Sequence, residues 1–224
     1  MEFDAKKAGE TNQGIYKNKL FIDLLTENTL NYNKTFGQHD FSVLLGYTAE
    51  KTTTTTAGIT GTAFPTDYIH TLNAATSITL GPDNTYTFKE QDALMSVLGR
   101  VNYAYADKYL ASVSARTDGS SKFAKGHQWG VFPSASVAWR ISEESFWKEN
   151  RINDVVNSLK LRVGYGTTGN NGVGSFSYRT NVSLTSYPMN NVMTNPAYVL
   201  GTQLGNPELK WETQVATNVG LDVS

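Results

Sequence analysis

The sequence predicts an all-β fold, an antiparallel up-and-down meander of about seven long strands forming an arc of a transmembrane β-barrel. Three observations carry that prediction. Apolar and polar residues alternate with period two over long stretches, aromatic residues collect near the ends of those stretches, and short turns alternate with long polar connections. Period-two alternation marks a strand with one apolar face. Ordinary strands run about 5–6 residues, whereas these approach the ~9–11 that a tilted strand needs to cross a bilayer. Rings with polar tips favour the headgroup level, so two aromatic levels on an apolar face fit a membrane wall.

Composition bounds the alternatives. The 224 residues carry a net charge of −1, and no Lys/Arg cluster tracks a face, so nucleic acid is not an expected partner. The absence of cysteine excludes a disulfide framework and thiolate metal sites. There is no apolar run of the ~18 residues that mark a membrane helix, which leaves a barrel open because its strands hide apolar residues at alternate positions. The opening MEFDAKKAGETNQG lacks the apolar core of an export signal, so a barrel reading implies a part of a longer protein.

Taken in order, residues through about Lys19 read as a polar, loose arm. Leu20, Ile22, Leu24, Leu30 and Tyr32 then oppose Asp23, Glu27 and Asn31, and after a short turn at 35–40 the parity Phe41, Val43, Leu45, Tyr47 completes a hairpin. Residues 51–91, rich in Thr, Gly, Asn and Pro, read as a long loop, of the kind such barrels carry on the extracellular side. The clearest stretch follows. Met95, Val97, Val101, Tyr103 and Tyr105 oppose Leu94, Ser96, Leu98, Arg100 and Asn102; after a very short turn at 106–108, Tyr109, Ala111, Val113 and Ala115 oppose Leu110, Ser112, Ser114, Arg116 and Asp118. Beyond a connection at 118–128, Trp129, Val131, Ala135, Val137 and Trp139 oppose Ser134, Ser136 and Arg140.

The connection 142–157 is long for its side and contains Phe146 and Trp147, which suggests a short interfacial helix; Glu143 and Glu144 within it read as a solvated pair. Leu159, Leu161, Val163 and Tyr165 oppose Lys160 and Arg162 in a sixth strand. A second long loop spans about 168–208, and a last strand alternates from Leu209 to Val223. About seven strands cannot close a bacterial barrel, whose strand number is even and at least eight. Tyr32, Phe41, Tyr103, Tyr105, Tyr109 and Trp139 fall at the short-turn end, and Tyr47, Trp129, Tyr165 and Trp211 at the long-loop end. Two girdles are expected. A soluble all-β carbohydrate-binding module with aromatic loops is the alternative at this point.

Four motifs carry a family resemblance. Arg116-Thr117-Asp118-Gly119-Ser120-Ser121-Lys122-Phe123, the strand Phe132-Pro133 through Trp139-Arg140, the strand Leu159 through Gly164-Tyr165-Gly166-Thr167-Thr168-Gly169-Asn170, and Asn206-Pro207-Glu208-Leu209-Lys210-Trp211-Glu212 resemble, in order, segments of the SusC/RagA family of TonB-linked outer-membrane transporters of Bacteroidetes. The resemblance implies a 22-stranded barrel, of which residues 1–224 are a partial wall without signal peptide, plug or remaining strands. It implies import of glycan oligosaccharides or peptides with a SusD-like lipoprotein, energy from the TonB system through the missing N-terminal part, and contact with outer-membrane lipid; no cofactor is expected, and no enzymatic activity, since no acid/base or nucleophile constellation stands in the sequence. The fragment alone is not expected to transport, and the motif residues are expected to be structural.

Competing motifs are weaker. Gly164 to Gly169 matches G-x-G-x-x-G, but a dinucleotide site needs a helix to follow, and Asn170-Asn171-Gly172 is a poor helix start. Asp118-Gly119-Ser120 are turn residues without the clustered carboxylates of a calcium loop. His39, His70 and His127 belong to different connections, so no metal site or triad is expected. Lumen-facing parity collects Arg100, Asn102, Arg116, Asp118, Arg140, Lys160, Arg162, Lys210 and Glu212, which suits a watered wall. Substrate contact is expected instead from the long loops, where Tyr68, Tyr86, Tyr178, Tyr187 and Tyr198 are able to stack on sugar rings.

Overall fold

The computed structural model describes residues 2–4, 11–69, 71–81, 84–149, 155–189, 192–201 and 204–224, with side chains described outside 2–4 and 183–199. The elements are β1 (Glu2–Asp4), β2 (Gln13–Phe36), β3 (His39–Thr62), β4 (Ser77–Ile78), β5 (Tyr86–Tyr105), β6 (Tyr109–Ser120), β7 (Trp129–Arg140), α1 (Ser145–Lys148), β8 (Leu159–Asn170), β9 (Val182–Met189), β10 (Val192–Leu200) and β11 (Glu212–Val223). One antiparallel sheet runs in the order β1-β2-β3-β5-β6-β7-β8-β11, with β4 beside β3, while β9 and β10 form a separate hairpin. The seven predicted strands correspond to β2, β3, β5, β6, β7, β8 and β11. They pair as consecutive hairpins, so the predicted meander is the observed one.

Three boundaries differ from expectation. The arm expected to be loose through Lys19 is strand from Gln13, and β1 pairs with it, Phe3 opposite Gly14. The loop expected over 51–91 is much shorter, because β3 continues to Thr62 and β5 already starts at Tyr86. The run Thr52–Thr56 explains it: consecutive β-branched residues favour extended backbone even where no period-two pattern shows. Likewise, 168–208 is not structureless, since β8 reaches Asn170 and the β9–β10 hairpin occupies much of the remainder.

Contacts divide the chain into two units, Met1–Leu24 with Lys51–Asp92, and Leu25–Glu50 with Ala93–Ser224. In the first, Asn12 works as a clamp. Its side chain accepts from the Phe64 N–H at 2.9 Å and donates to the Phe64 carbonyl at 3.1 Å and to Asp67 Oδ1 at 2.8 Å. Among the described residues of this unit Phe64 is the buried large apolar side chain, and Gly61 leaves room beside it, because a Cβ there would meet Leu72, Ala75 and the Phe64 ring.

In the second unit, buried apolar side chains among the described residues are confined to Phe123 and Phe132. The period-two face carrying Val97, Val101, Val113, Val131, Val137, Val163, Val215 and Val219 is uncovered. A soluble sandwich would bury such a face against a second sheet. Register keeps the alternation in phase from strand to strand: Val101 is opposite Val113, which is opposite Ala135, and Val137 is opposite Val163, which is opposite Val219. One face is therefore apolar across five strands.

Candidate functional site

Turns at one end of the second unit are tight. Phe36 and His39 are separated by Gly37-Gln38, where Gly37 has φ 60°, a conformation that disfavours a Cβ. Ala106 and Asp107, with φ of 50° and 57°, turn β5 into β6. Neighbouring turns are joined by backbone, since Ala106 N–H donates to the Gln38 carbonyl at 2.7 Å and Arg140 N–H to the Lys108 carbonyl at 2.8 Å. The predicted short helix is present as a 3₁₀ turn at Ile141–Glu143 followed by α1.

The aromatic level predicted for this end forms a run of touching rings. Phe36 meets Phe41, Phe41 meets Tyr103, Tyr105 meets Tyr109, and Tyr109 lies nearly parallel to Trp139 at 6.4 Å and 12°. His39 belongs to this run as well, with its Nδ1 2.8 Å from the Tyr103 hydroxyl.

Glu144 corrects the solvated-pair expectation. Its carboxylate accepts from the Tyr109 hydroxyl at 2.6 Å, from Lys108 Nζ at 2.9 Å and from Trp139 Nε1 at 3.1 Å, and its side chain is only 13% exposed. These donors, the Tyr109 hydroxyl foremost, hold the carboxyl down at about 2. Adjacency to Glu143 carries no hint of this, because the partners come from the 106–108 turn, β6 and β7. Glu143 does stay outside, paired with Lys148 at 2.6 Å.

At the other end, the four motifs meet. Arg116 donates from Nε to Asp118 at 2.7 Å and from Nη2 to Ser96 at 3.0 Å, and Asp118 is 7% exposed. Ser121 exchanges two hydrogen bonds with the Ala93 backbone, and Ser120 accepts from Asn171 Nδ2 at 3.4 Å. Phe123, 1% exposed, and Phe132 both pack on Trp211 with ring centroids 5.5 Å apart.

Trp211 therefore leaves the outer girdle in which alternation placed it. Strand β11 begins only at Glu212, and the Asn206-Pro207-Glu208 turn, closed by Asn206 Oδ1 on the Glu208 N–H at 3.0 Å, sends the chain back over β7. The indole lies on the Phe132 side, where Gly130 leaves space for it and the Gln128 carbonyl accepts its N–H at 2.8 Å. Gly169 is equally spare, since a Cβ there would overlap the edge of the Phe132 ring at Cζ. The other predicted members of that level, Tyr47, Trp129 and Tyr165, are exposed as expected.

The polar face holds an open groove of about 970 Å³, lined by Asn33, Asp40, Asn102, Ser112, Ser136, Lys160, Arg162 and Asn218 among others. Arg162 pairs with Asp222 at 3.1 Å, Arg140 with Asp107, and Ser112 donates to Asn102 at 2.7 Å. Glycines 164, 166 and 169 lie inside β8, and residues 171–174 after it are not helical. Among the described residues no group of His, Asp and Glu is placed to hold a metal ion, and His127 sits 3.5 Å from Glu208. His70 lies outside the described residues.

The family model described as TonB dependent receptor-like, beta-barrel matches residues 4–224. The chain belongs to the TonB-dependent receptor β-barrel family. TonB-dependent receptor P3 of Formosa agariphila is 33% identical over 218 residues, which is 97% of this chain and 21% of that protein. TonB-dependent receptor SusC of Bacteroides thetaiotaomicron is 36% identical over 140 residues, 60% of this chain and 13% of that protein. The SusC/RagA resemblance read from the motifs is thereby upheld. Among solved structures, that of the RagAB peptide transporter superposes with a TM-score of 0.78 at 23% identity, covering 95% of this chain and 23% of that one, and so shares the fold. The chain spans about a fifth of the length of the relatives it matches.

Proposed function

We propose that this chain is a wall segment of an outer-membrane TonB-dependent transporter that imports glycan oligosaccharides or peptides together with a SusD-like lipoprotein. The observation that carries the reading is the uncovered apolar face running in register across β5, β6, β7, β8 and β11, bounded at the turn end by touching aromatic rings. Such a face is stable against lipid and unstable against water. The polar face, with its groove beside the Arg162–Asp222 pair, then lines the lumen. The turn end is periplasmic, and the connections 63–85 and 171–211 are extracellular. Tyr68, 94% exposed, and Phe176, 42% exposed, are the described aromatics best presented to solute there, and Tyr178 is half-buried with Arg179 over its ring at 5.2 Å. The side chains of Tyr187 and Tyr198 lie outside the description.

The motif residues Arg116, Asp118, Gly119, Ser120, Ser121, Phe123, Pro133, Trp139, Gly164, Tyr165, Gly166, Gly169, Asn170, Asn206, Pro207, Trp211 and Glu212 serve as architecture in this reading, joining strand ends rather than touching substrate. The peptide transporter among the structural neighbours supports a peptide cargo, and the SusC/RagA resemblance of the four motifs keeps glycan oligosaccharides beside it. The test is deletion of the gene for the intact protein, followed by uptake of labelled oligosaccharides and peptides by whole cells. Loss of uptake of one cargo class, restored by the gene and abolished without TonB, is the expected result. Unchanged uptake of both classes would overturn the transport reading.

A further inference from the structure

On the apolar face, near the turn end, the surface is not smooth. Register sets Tyr103, Ala111, Val137 and Val163 in one row and Tyr109, Trp139 and Leu161 in the next. Ala111 is the one small side chain in those rows, and the space it leaves is a furrow of about 310 Å³. Tyr109 and Trp139 close its turn end as a rigid pair. Their polar tips are turned away onto Glu144, at 2.6 and 3.1 Å, so the ring surfaces bordering the furrow are hydrocarbon. Glu144 in turn pairs with Lys108 at 2.9 Å, which makes the polar margin beside the rings neutral, one cation next to one anion.

We infer that this furrow holds an acyl chain of a zwitterionic phospholipid, with its headgroup against the Lys108–Glu144 pair. Apolar walls select hydrocarbon over any polar segment. Rings fixed in place by hydrogen bonds lose little freedom when a chain settles on them, so binding here costs less than on a wall of mobile side chains. A headgroup carrying both an ammonium and a phosphate finds an opposite charge for each, whereas an anionic headgroup gains from Lys108 and is repelled by Glu144. The assignment rests on the membrane-wall reading and goes beyond it, because lipid contact in general would be non-selective and freely exchanging.

The test is native mass spectrometry of the intact protein that carries these residues, extracted from membranes containing equal amounts of zwitterionic phosphatidylethanolamine and anionic phosphatidylglycerol. Wild type is expected to retain one more tightly held phosphatidylethanolamine per copy than Ala111→Phe or Ala111→Leu, which fill the furrow. The occupancy of that lipid should fall about fivefold or more in both variants. Val97→Phe adds bulk to the same face outside the furrow and should leave retention unchanged. Equal retention in wild type and both Ala111 variants, or loss of lipid in Val97→Phe as well, would overturn the site. Preferential retention of phosphatidylglycerol would overturn the headgroup assignment. If the intact protein does not fractionate with the outer membrane, the wall reading itself fails, which is a separate result.

Discussion

Replacing Glu144 by Gln removes a charge on which Tyr109, Lys108 and Trp139 converge. The carboxyl is held at about 2 in the folded chain against an ordinary 4.5. Its folded value is depressed, so its stabilising effect is complete above about 4.5 and is lost as pH falls toward 2. Glu144→Gln should therefore lower the urea midpoint of detergent-solubilised protein at neutral pH, and the gap from wild type should close between pH 4.5 and 2. A gap that persists unchanged at pH 2 would assign the effect to shape instead of charge. This residue also marks a limit of sequence reading. Parity puts Tyr109 and Trp139 at the right level, but that a glutamate five positions past Trp139 binds both rings depends on the 3₁₀ turn at Ile141–Glu143.

Between elements, the strongest constraint is the packing of Phe132 on β7 against Gly169 on β8 and Trp211 ahead of β11. A methyl at Gly169 has nowhere to go without moving the Phe132 ring. Gly169→Ala is expected to cost about 1–3 kcal/mol as overpacking, read as a lower unfolding midpoint, with Phe132→Leu in the same chain recovering part of the loss. Failure of the double variant to recover stability would mean that the two sites act independently. The strands themselves were legible where apolar residues alternate, as in β5 and β6. They were illegible over Thr52–Thr56, where every side chain is of one kind and only its β-branching speaks for extended backbone. Trp211 lies off the outer level because strand phase holds only from Glu212, where β11 begins, while 209–211 are still leaving the Asn206-Pro207-Glu208 turn and do not keep it.

Taken whole, the chain has much apolar surface and little interior. Expressed as these 224 residues alone, it should sediment or aggregate without detergent and stay dispersed with it, as checked by size-exclusion chromatography in both conditions. A soluble monomer without detergent would count against the wall. The two rims also differ in what they allow over evolutionary time. At the tight-turn rim, Gly37-Gln38 and Ala106–Lys108 set the register of whole hairpins, and neighbouring turns are bonded backbone to backbone. An inserted residue there would swap the apolar and polar faces of everything downstream in the hairpin. At the opposite rim of this unit, the connection 171–211 already accommodates the β9–β10 hairpin. A lineage is free to rewrite one rim by gaining and losing residues, while the other admits only exchange of one side chain for another.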